Sequence, residues 1–138
     1  MLKKRLGAAV FVKDGLVVQS VGFSRYLPIG KPEVVIKNLD DWGADEIILL
    51  NQNSVKSNKP NYELIEKVSD LSIRTPLTYG GGIKDAKDAI KCIKHGADRV
   101  VINQIYLDKI DQISNISKMV GKESLVLSLN VTFNQNKL

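Results

Sequence analysis

The sequence predicts an α/β fold with parallel strands, namely one half of a (βα)8 TIM barrel plus one further strand. Short apolar runs alternate with segments of helical period along the chain, and this alternation is typical of parallel sheets. The tripeptide Gly-Ala-Asp occurs at 43–45 and again at 96–98, each time between a predicted helix and a predicted strand. A repeat of roughly fifty residues favours a barrel of similar quarters over an open doubly wound sheet.

Five short apolar runs are predicted to be strands buried on both faces of a parallel sheet. In chain order they cover residues 6–12, 46–50, 76–79, 99–103 and 124–131. The turn signal Lys13-Asp14-Gly15 ends the first strand, and residues 16–21 are predicted to return as a small hairpin. The prolines and glycine at 28, 30 and 32 indicate a loop, and the polar residues 51–60 indicate another.

Four segments between these strands have apolar residues spaced as on one face of a helix. In chain order they cover residues 32–42, 62–71, 85–95 and 107–120. The first begins at Pro32 and stops at Gly43, and the third stops at Gly96, because proline suits a first helical turn and glycine a helix end. Trp42 and Cys92 are predicted to lie in the core.

The length of 138 residues suits one domain but is short of the about 200 that close a (βα)8 barrel. Residues 1–131 are predicted to form the N-terminal half of such a barrel, and 132–138 an irregular tail. A half-barrel leaves strand edges and apolar surface uncovered, which favours pairing. Three arrangements are open: a piece of a longer gene product, a homodimer, and a partnership with a second half-barrel chain.

The composition excludes several classes of function. Hydrophobic residues make up 43% and charged residues 25%, and the formal charge of +5 is spread along the chain. We therefore expect no nucleic-acid partner. No run approaches the roughly 18 apolar residues that span a bilayer, so no membrane partner is expected. The single cysteine excludes a disulfide within the chain and a cysteine metal cluster; no metal or cofactor is predicted, and the expected location is the cytoplasm.

The sharpest functional signal is Gly80-Gly81-Gly82, which follows a predicted strand and precedes a predicted helix. Glycines let the backbone approach a ligand closely, and a helix N-terminus offers free N–H groups to an anion. Asn103 and Gln104 follow the next strand and could add donors at the same edge. These five residues predict a phosphate site, with a plain turn and a polar capping pair as the alternatives. His95, the single histidine, ends a helix and is not predicted to be catalytic.

Several motifs together resemble the cyclase subunit of imidazole glycerol phosphate synthase. In chain order they are Arg5, Val12-Lys13-Asp14-Gly15, Gly43-Ala44-Asp45-Glu46, Pro76-Leu-Thr-Tyr-Gly-Gly-Gly-Ile83, Gly96-Ala97-Asp98 and Ile102-Asn103. The resemblance runs from about residue 2 to residue 131 and covers the first half of that family's barrel. It implies a subunit that takes ammonia from a glutaminase partner and joins it to a phosphorylated ribulosyl-aminoimidazole precursor.

The resemblance also implies roles for individual residues. Gly82 and Asn103 match positions at one of the family's two phosphate sites. Other matched positions ring the ammonia entrance at the bottom of the barrel or face the glutaminase: Arg5, Glu46, Arg99 and Asp98. An ordinary salt-bridge cluster that closes the barrel floor is the alternative for these four residues.

The chain departs from this family at the positions that carry its chemistry. The family places two aspartates at the ends of the first and fifth strands as an acid and a base. Here these positions hold Phe11 and Asn130, neither of which transfers a proton near neutral pH. Asn51 replaces a third carboxylate, and Gln19 stands where a lysine is common. No catalytic residue is therefore predicted, and the standard cyclisation is not expected.

A subgroup of these barrels associated with glycosyl amidation shares further motifs with the chain. They are Gly15-Leu16-Val17, Phe23, residues 29–32, residues 60–65 and Tyr79. Its members are thought to pass ammonia from a glutaminase to an amidotransferase of lipopolysaccharide or other surface sugars. The predicted function is a phosphate-binding, ammonia-accepting or ammonia-relaying synthase subunit of this type. A genuine cyclase of histidine biosynthesis and a truncated, non-catalytic half-barrel are the alternatives.

Overall fold

The structure is a computed structural model that describes residues 4–22, 24–103 and 110–129. Within these residues seven strands form one sheet: β1 (Gly7–Lys13), β2 (Leu16–Val21), β3 (Arg25–Gly30), β4 (Glu46–Asn51), β5 (Leu77–Gly80), β6 (Arg99–Asn103) and β7 (Leu125–Ser128). Their order across the sheet is β3-β2-β1-β4-β5-β6-β7. From β1 to β7 all neighbours in this order are parallel, while β2 and β3 form an antiparallel flank.

The helices in the described residues are α1 (Pro32–Asp41), α2 (Gln52–Ser57), α3 (Tyr62–Ser69), α4 (Ala86–Lys94) and α5 (Ile110–Val120). The four longer helices bury apolar side chains such as Ile36, Ile65 and Ile116 in one cluster with strand residues such as Leu49. A 3₁₀ turn at Lys122–Ser124 precedes β7. The predicted α/β class is confirmed, and the mainly parallel sheet is consistent with part of a (βα)8 barrel.

The parallel strands have a second face that points away from the helices. Val10 and Val12 of β1 lie in the core, so Phe11 between them points to the opposite side, where it is half-buried. The register places four residues in one row on this second face: Phe11, Leu50, Gly80 and Val101. In a (βα)8 barrel this face is the interior. We call the two ends of the parallel strands the amino edge and the carboxyl edge.

The two Gly-Ala-Asp turns make the same pair of hydrogen bonds at the amino edge. Asp45 donates its backbone N–H to the Leu6 carbonyl at 2.9 Å, and Asp45 Oδ2 accepts the Leu6 N–H at 2.7 Å. Asp98 forms both bonds with Leu77, at 2.8 and 2.7 Å. Each aspartate therefore ties the start of its own strand to the start of the neighbouring strand, as expected of a structural repeat.

Two segments predicted to be loops contain regular structure. Residues 25–30 form β3 although Pro28 and Gly30 indicate a loop. The prediction is wrong because β3 is the outermost strand, where a missing N–H is tolerated, and its pairing with β2 is irregular near Val18. The predicted loop at 51–60 contains α2, which begins because Asn51 Oδ1 accepts the Asn53 N–H at 3.1 Å.

The other predicted elements are found within a few residues of their expected ends. Residues 107–109 of the fourth predicted helix, residues 130–131 of the fifth strand and the tail at 132–138 lie outside the described residues. The division into a barrel half and a tail stays a prediction.

The two predicted core residues have opposite outcomes. Cys92 is fully buried, and this burial raises the pKa of its thiol to about 12. Trp42 is 79% exposed, so its prediction is wrong. Trp42 is the C-cap, one residue beyond the end of α1, and lies about 120° around the helix from the buried Ile36. Gly43, with φ +80°, then turns the chain towards β4.

Asp40 is a buried carboxylate that fixes α1 to the segment before β5. Its Oδ1 accepts the backbone N–H groups of Arg74 and Thr75 at 3.0 and 2.9 Å, and the Thr75 hydroxyl at 2.8 Å. The hydroxyl bond is the largest of several causes that lower the pKa of Asp40 to about 2. Asp40 therefore stabilises the fold in its ionised form.

We expect Asp40→Asn to lower the urea midpoint of unfolding at neutral pH, because an amide replaces a carboxylate that accepts three hydrogen bonds at Oδ1 and one from Lys37 at Oδ2. The pKa of Asp40 is lower in the folded state, about 2, than its ordinary value of 3.8. Its contribution is therefore complete above that ordinary value and is lost as the pH falls through about 2. Urea unfolding along an acidic pH series should show wild type and variant converging.

Asp41→Asn is the matched control, because it removes only the exposed ion pair with Lys37 at 2.7 Å. We expect it to change the midpoint little at any pH. Equal losses for both variants, or a gap that widens on acidification, would contradict the role of Asp40.

Candidate functional site

The glycine turn at the carboxyl edge packs against the segment that follows β4. A Cβ on Gly82 would lie 2.6 Å from the Ser54 carbonyl oxygen and 2.6 Å from the Lys59 carbonyl carbon. A Cβ on Gly81 would overlap the carbonyl oxygen of Asn51. Gly81 and Gly82 also have φ values of +130° and +73°, which favour glycine. The chain's own backbone thus makes the close approach for which these glycines are required.

Gly80 belongs to the second face of the sheet. A Cβ there would lie 2.8 Å from Leu50 Cδ2 and 3.0 Å from Val101 Cβ. The side chains of the two adjacent strands therefore close over this glycine, and the second face is apolar at this level.

Tyr79 holds the segment after β4 over the glycine turn. Its hydroxyl lies 3.1 Å from Ser54 Oγ and accepts the Asn61 N–H at 2.9 Å. Burial raises the pKa of this phenol, which keeps it protonated at neutral pH. In the sequence analysis Tyr79 appears only as part of a motif. Its role could have been inferred from a tyrosine within an otherwise apolar strand, because a buried tyrosine hydroxyl requires a hydrogen-bond partner.

Four of the five predicted phosphate residues lie at one edge of two adjacent strands. Asn103 ends β6 and is exposed, and Val101, two residues before it, pairs with Gly80 of β5. Gln104 lies outside the described residues. Phosphate binding at this edge remains a prediction, supported by the placement of Gly80–82 and Asn103.

A reciprocal pair ties the turn after β1 to the start of α2. The Asp14 N–H donates to Asn53 Oδ1 at 2.7 Å, and Asn53 Nδ2 donates to Asp14 Oδ1 at 2.8 Å. Asn51, where the resemblance predicts a third carboxylate, is 4% exposed, and its side chain accepts the Asn53 N–H as the N-cap of α2. A cavity of about 330 Å³ lies beside this pair, lined by residues that include Val12, Gly15, Glu33, Asn51, Asn61 and Lys67.

Phe11 occupies the carboxyl half of β1, with Val18 and Leu50 as its strand partners. Lys13, two residues on, lies over the Tyr26 ring, with Nζ 3.9 Å from the ring centre. Asn130, the other position where the resemblance predicts an aspartate, lies outside the described residues. β1 itself therefore presents an aromatic ring and a lysine at this edge, and it carries no carboxylate.

Glu46, Thr78 and Arg99 meet at the opposite, amino edge. Thr78 Oγ1 donates to Glu46 Oε1 at 2.7 Å, and Arg99 Nη1 donates to the same oxygen at 3.0 Å. The Glu46 and Arg99 side chains are only 19% and 31% exposed, so their pairing is partly shielded from water. The structure thus brings together two predicted floor residues, and it adds Thr78, which sequence reasoning used only within a motif.

The other two predicted floor residues lie at the same edge but outside this cluster. Arg5 is exposed, and its Nη2 donates to the Asp45 carbonyl at 3.2 Å. The Asp98 carboxylate is bound to the Leu77 N–H, which gives it a structural function. That Asp98 faces a partner protein stays a prediction.

The remaining polar groups do not add a metal centre. His95 Nδ1 lies 2.6 Å from Glu66 Oε1, and its ring stacks on Tyr62 with centres 5.0 Å apart. This contact joins α3 to α4 on the helical side of the sheet. Over the described ranges, the side chains of His, Cys, Asp and Glu form no group of three that could hold a metal ion. Over those ranges, too, every helix is too short or too polar to cross a membrane.

Comparison with known proteins gives consistent matches. A protein-family model described as "Histidine biosynthesis protein" matches residues 5–137. The chain is 34% identical over 131 residues to "Imidazole glycerol phosphate synthase subunit HisF" of Exiguobacterium sibiricum, covering 94% of this chain and 52% of that protein. For the protein of the same name from Pyrococcus furiosus the identity is 33% over 135 residues, with 97% and 53% covered.

A third relative is "Putative imidazole glycerol phosphate synthase subunit hisF2" of Vibrio vulnificus. It is 37% identical over 131 residues, which cover 94% of this chain and 48% of the relative. The chain spans about half the length of the curated relatives it matches.

We expect Gly82→Ala to destabilise the fold by about 3 kcal/mol or more, because it combines left-handed backbone strain with a backbone clash. Gly43→Ala is the matched control. Gly43 has φ +80°, close to the +73° of Gly82, but a Cβ there meets no atom within 4 Å. The control should therefore lose only about 1 kcal/mol. Urea unfolding measures both, and equal losses would show that packing against Ser54 and Lys59 is unimportant.

Proposed function

The chain belongs to the histidine biosynthesis protein family, and on that premise we propose that it is a synthase subunit of the imidazole glycerol phosphate synthase type. In this proposal a phosphorylated substrate binds at the carboxyl edge of β5 and β6. Ammonia from a glutaminase subunit enters at the amino edge. The observation that carries the proposal is the Glu46–Thr78–Arg99 cluster. Its polar groups lie on the second face at the amino edge, whereas the predicted phosphate site lies at the carboxyl edge.

The carboxyl edge supports phosphate binding through donors from two strands. Gly81 and Gly82 are partly exposed at the end of β5, and Asn103 contributes an exposed amide at the end of β6. Backbone N–H groups in turns with positive φ bind anions well. The exposed Lys84, two residues after the turn, adds positive charge nearby. This chemistry suits the phosphate group of a small molecule.

The amino edge supports passage of a small neutral molecule. Glu46 and Arg99 neutralise each other there, and Thr78 donates a hydrogen bond to the same Glu46 oxygen. Further along the second face the row becomes apolar at Leu50 and Val101. An apolar lining behind a neutralised polar cluster admits neutral ammonia more readily than it admits hydrated ions, because desolvating an ion is expensive.

The relatives favour histidine biosynthesis as the setting of this activity. The three described above carry the name of imidazole glycerol phosphate synthase, established or putative. Surface-sugar amidation is supported only by the motifs shared with that subgroup, such as Tyr79 and residues 60–65. We therefore place the histidine-type synthase first.

A subunit that accepts or relays ammonia without the standard cyclisation is a second candidate, and Phe11 favours it. The family's cyclisation requires proton transfer at the carboxyl ends of the first and fifth strands. Phe11 is a half-buried ring that exchanges no proton, and Asn130 is an amide. This candidate keeps the phosphate edge and the amino edge while it gives up the acid–base pair.

We expect inorganic phosphate to shift the backbone NMR signals of Gly80–82 and Asn103 saturably, because it accepts N–H donors at this edge. Asn103→Ala should weaken binding about tenfold through loss of a hydrogen bond to a charged group. Asn115→Ala removes an exposed amide from α5 and should leave the affinity unchanged. The absence of saturable shifts at the glycine turn would contradict the phosphate site.

If the second candidate is right, the purified chain forms no imidazole glycerol phosphate from ammonium and the ribulosyl-aminoimidazole precursor, because Phe11 and Asn130 transfer no proton; the histidine-type synthase placed first forms it. Product detection by chromatography measures this, with the Pyrococcus furiosus relative as the positive control. Ammonia-dependent product from the wild-type chain would exclude the second candidate and assign cyclisation to other residues.

A further inference from the structure

Three consecutive glycines form the turn of the proposed phosphate site. Glycine has more backbone freedom to lose than any other residue, and Gly81 and Gly82 adopt φ values of +130° and +73°. Backbone N–H groups that already point towards an anion bind it more tightly than groups that become ordered only on binding. The affinity of this turn for phosphate therefore depends on what keeps it ordered.

The backbone of residues 51–59 packs against one side of the glycine turn. A Cβ on Gly82 would lie 2.6 Å from the Ser54 carbonyl oxygen and 2.6 Å from the Lys59 carbonyl carbon. Contacts as close as these leave the turn no room to move towards this segment. The position of the segment therefore limits the conformations open to the turn.

The later part of this segment has few links to the sheet. The Ser54 carbonyl accepts the Lys59 N–H at 3.3 Å, which is a bond within the segment. Asn53, which binds the turn after β1, precedes this part. In the described part of the chain, two hydrogen bonds join residues 54–61 to β5, and both end on the Tyr79 hydroxyl.

Tyr79 is a rigid support for this segment, because it is fully buried in the hydrophobic core cluster. Its hydroxyl lies 3.1 Å from Ser54 Oγ and accepts the Asn61 N–H at 2.9 Å. Tyr79 also directly precedes Gly80. One buried side chain thus joins the start of the glycine turn to the segment that packs against the end of that turn.

We infer that Tyr79 is a positioning residue for the phosphate site: its hydroxyl fixes residues 54–61, and these residues keep the glycine turn ordered for an anion. The hydroxyl itself is buried behind the turn and acts through the segment. The inference rests on the proposed function, since it names a residue that sets the affinity of the carboxyl edge for a phosphate group.

The test compares binding of inorganic phosphate by the wild-type chain and by Tyr79→Phe, followed by NMR of the ¹⁵N-labelled full chain. Phenylalanine keeps the buried ring and removes both hydrogen bonds. We expect the affinity measured at Gly80–82 to fall about tenfold, because ordering the backbone of one further residue on binding costs about that factor. Hydrogen exchange of the Gly81 and Gly82 amides should become faster in the variant.

Thr75→Val is the matched control, because it also removes a buried hydroxyl but does so at the amino edge, just before β5. The Thr75 hydroxyl oxygen lies 2.8 Å from Asp40 Oδ1 and 3.1 Å from the Ala44 carbonyl oxygen. Urea unfolding should show a loss of stability for both variants. The affinity for phosphate should fall only for Tyr79→Phe.

Ser54→Ala removes one of the two hydrogen bonds and leaves the one to Asn61 in place. It should weaken phosphate binding by a smaller factor than Tyr79→Phe, and it should cause no further loss when the two substitutions are combined. If Tyr79→Phe does not fold, Ser54→Ala alone tests the inference by the same titration.

Each outcome decides between the proposals. The absence of saturable shifts in the wild-type chain overturns both the phosphate site and the inference. Saturable shifts with equal affinities for the wild type and the folded Tyr79→Phe variant overturn the inference and leave the phosphate site intact. An equal fall in affinity for Thr75→Val shows that binding follows overall stability, which also overturns the inference.

Discussion

The register of the parallel strands is the constraint on which both edges depend. Asp45 binds the N–H and the carbonyl of Leu6, just before β1, and Asp98 binds those of Leu77, at the start of β5. Side chains alternate between the faces of a strand, so a slip of one residue would exchange the core face and the second face. Fixing the starts of the strands therefore also fixes which residues meet at their far ends, some five residues later.

The glycine turn shows how one motif can satisfy two requirements. Gly81 and Gly82 are necessary for the fold because the backbone after β4 passes against them, and Tyr79 holds that backbone in place. The resemblance predicts a phosphate site at the same turn. A structural requirement and a ligand requirement predict the same residues, so the presence of glycine alone does not separate them.

The spacing of apolar residues and the glycines at helix ends predicted the parallel strands and the four longer helices, because these elements depend on local sequence and burial. β3 could not be predicted, since tolerance of Pro28 depends on its being the edge strand. The exposure of Trp42 depends on where α1 ends, since Trp42 is its C-cap and lies beyond the buried helix face. At the candidate site, the meeting of Glu46 and Arg99 follows from strand order, whereas the contribution of Thr78 depends on side-chain distances that sequence does not supply.

The burial of Cys92 has a practical consequence for studies of motion. Its thiol is the only one in the chain, is fully enclosed beneath α4, and stays protonated far above neutral pH. Thiol reagents attack the thiolate and need access to sulfur, so they can reach this group only when α4 lifts from the sheet. The rate of Cys92 alkylation therefore reports the rate at which α4 opens locally. This helix begins a few residues after the glycine turn.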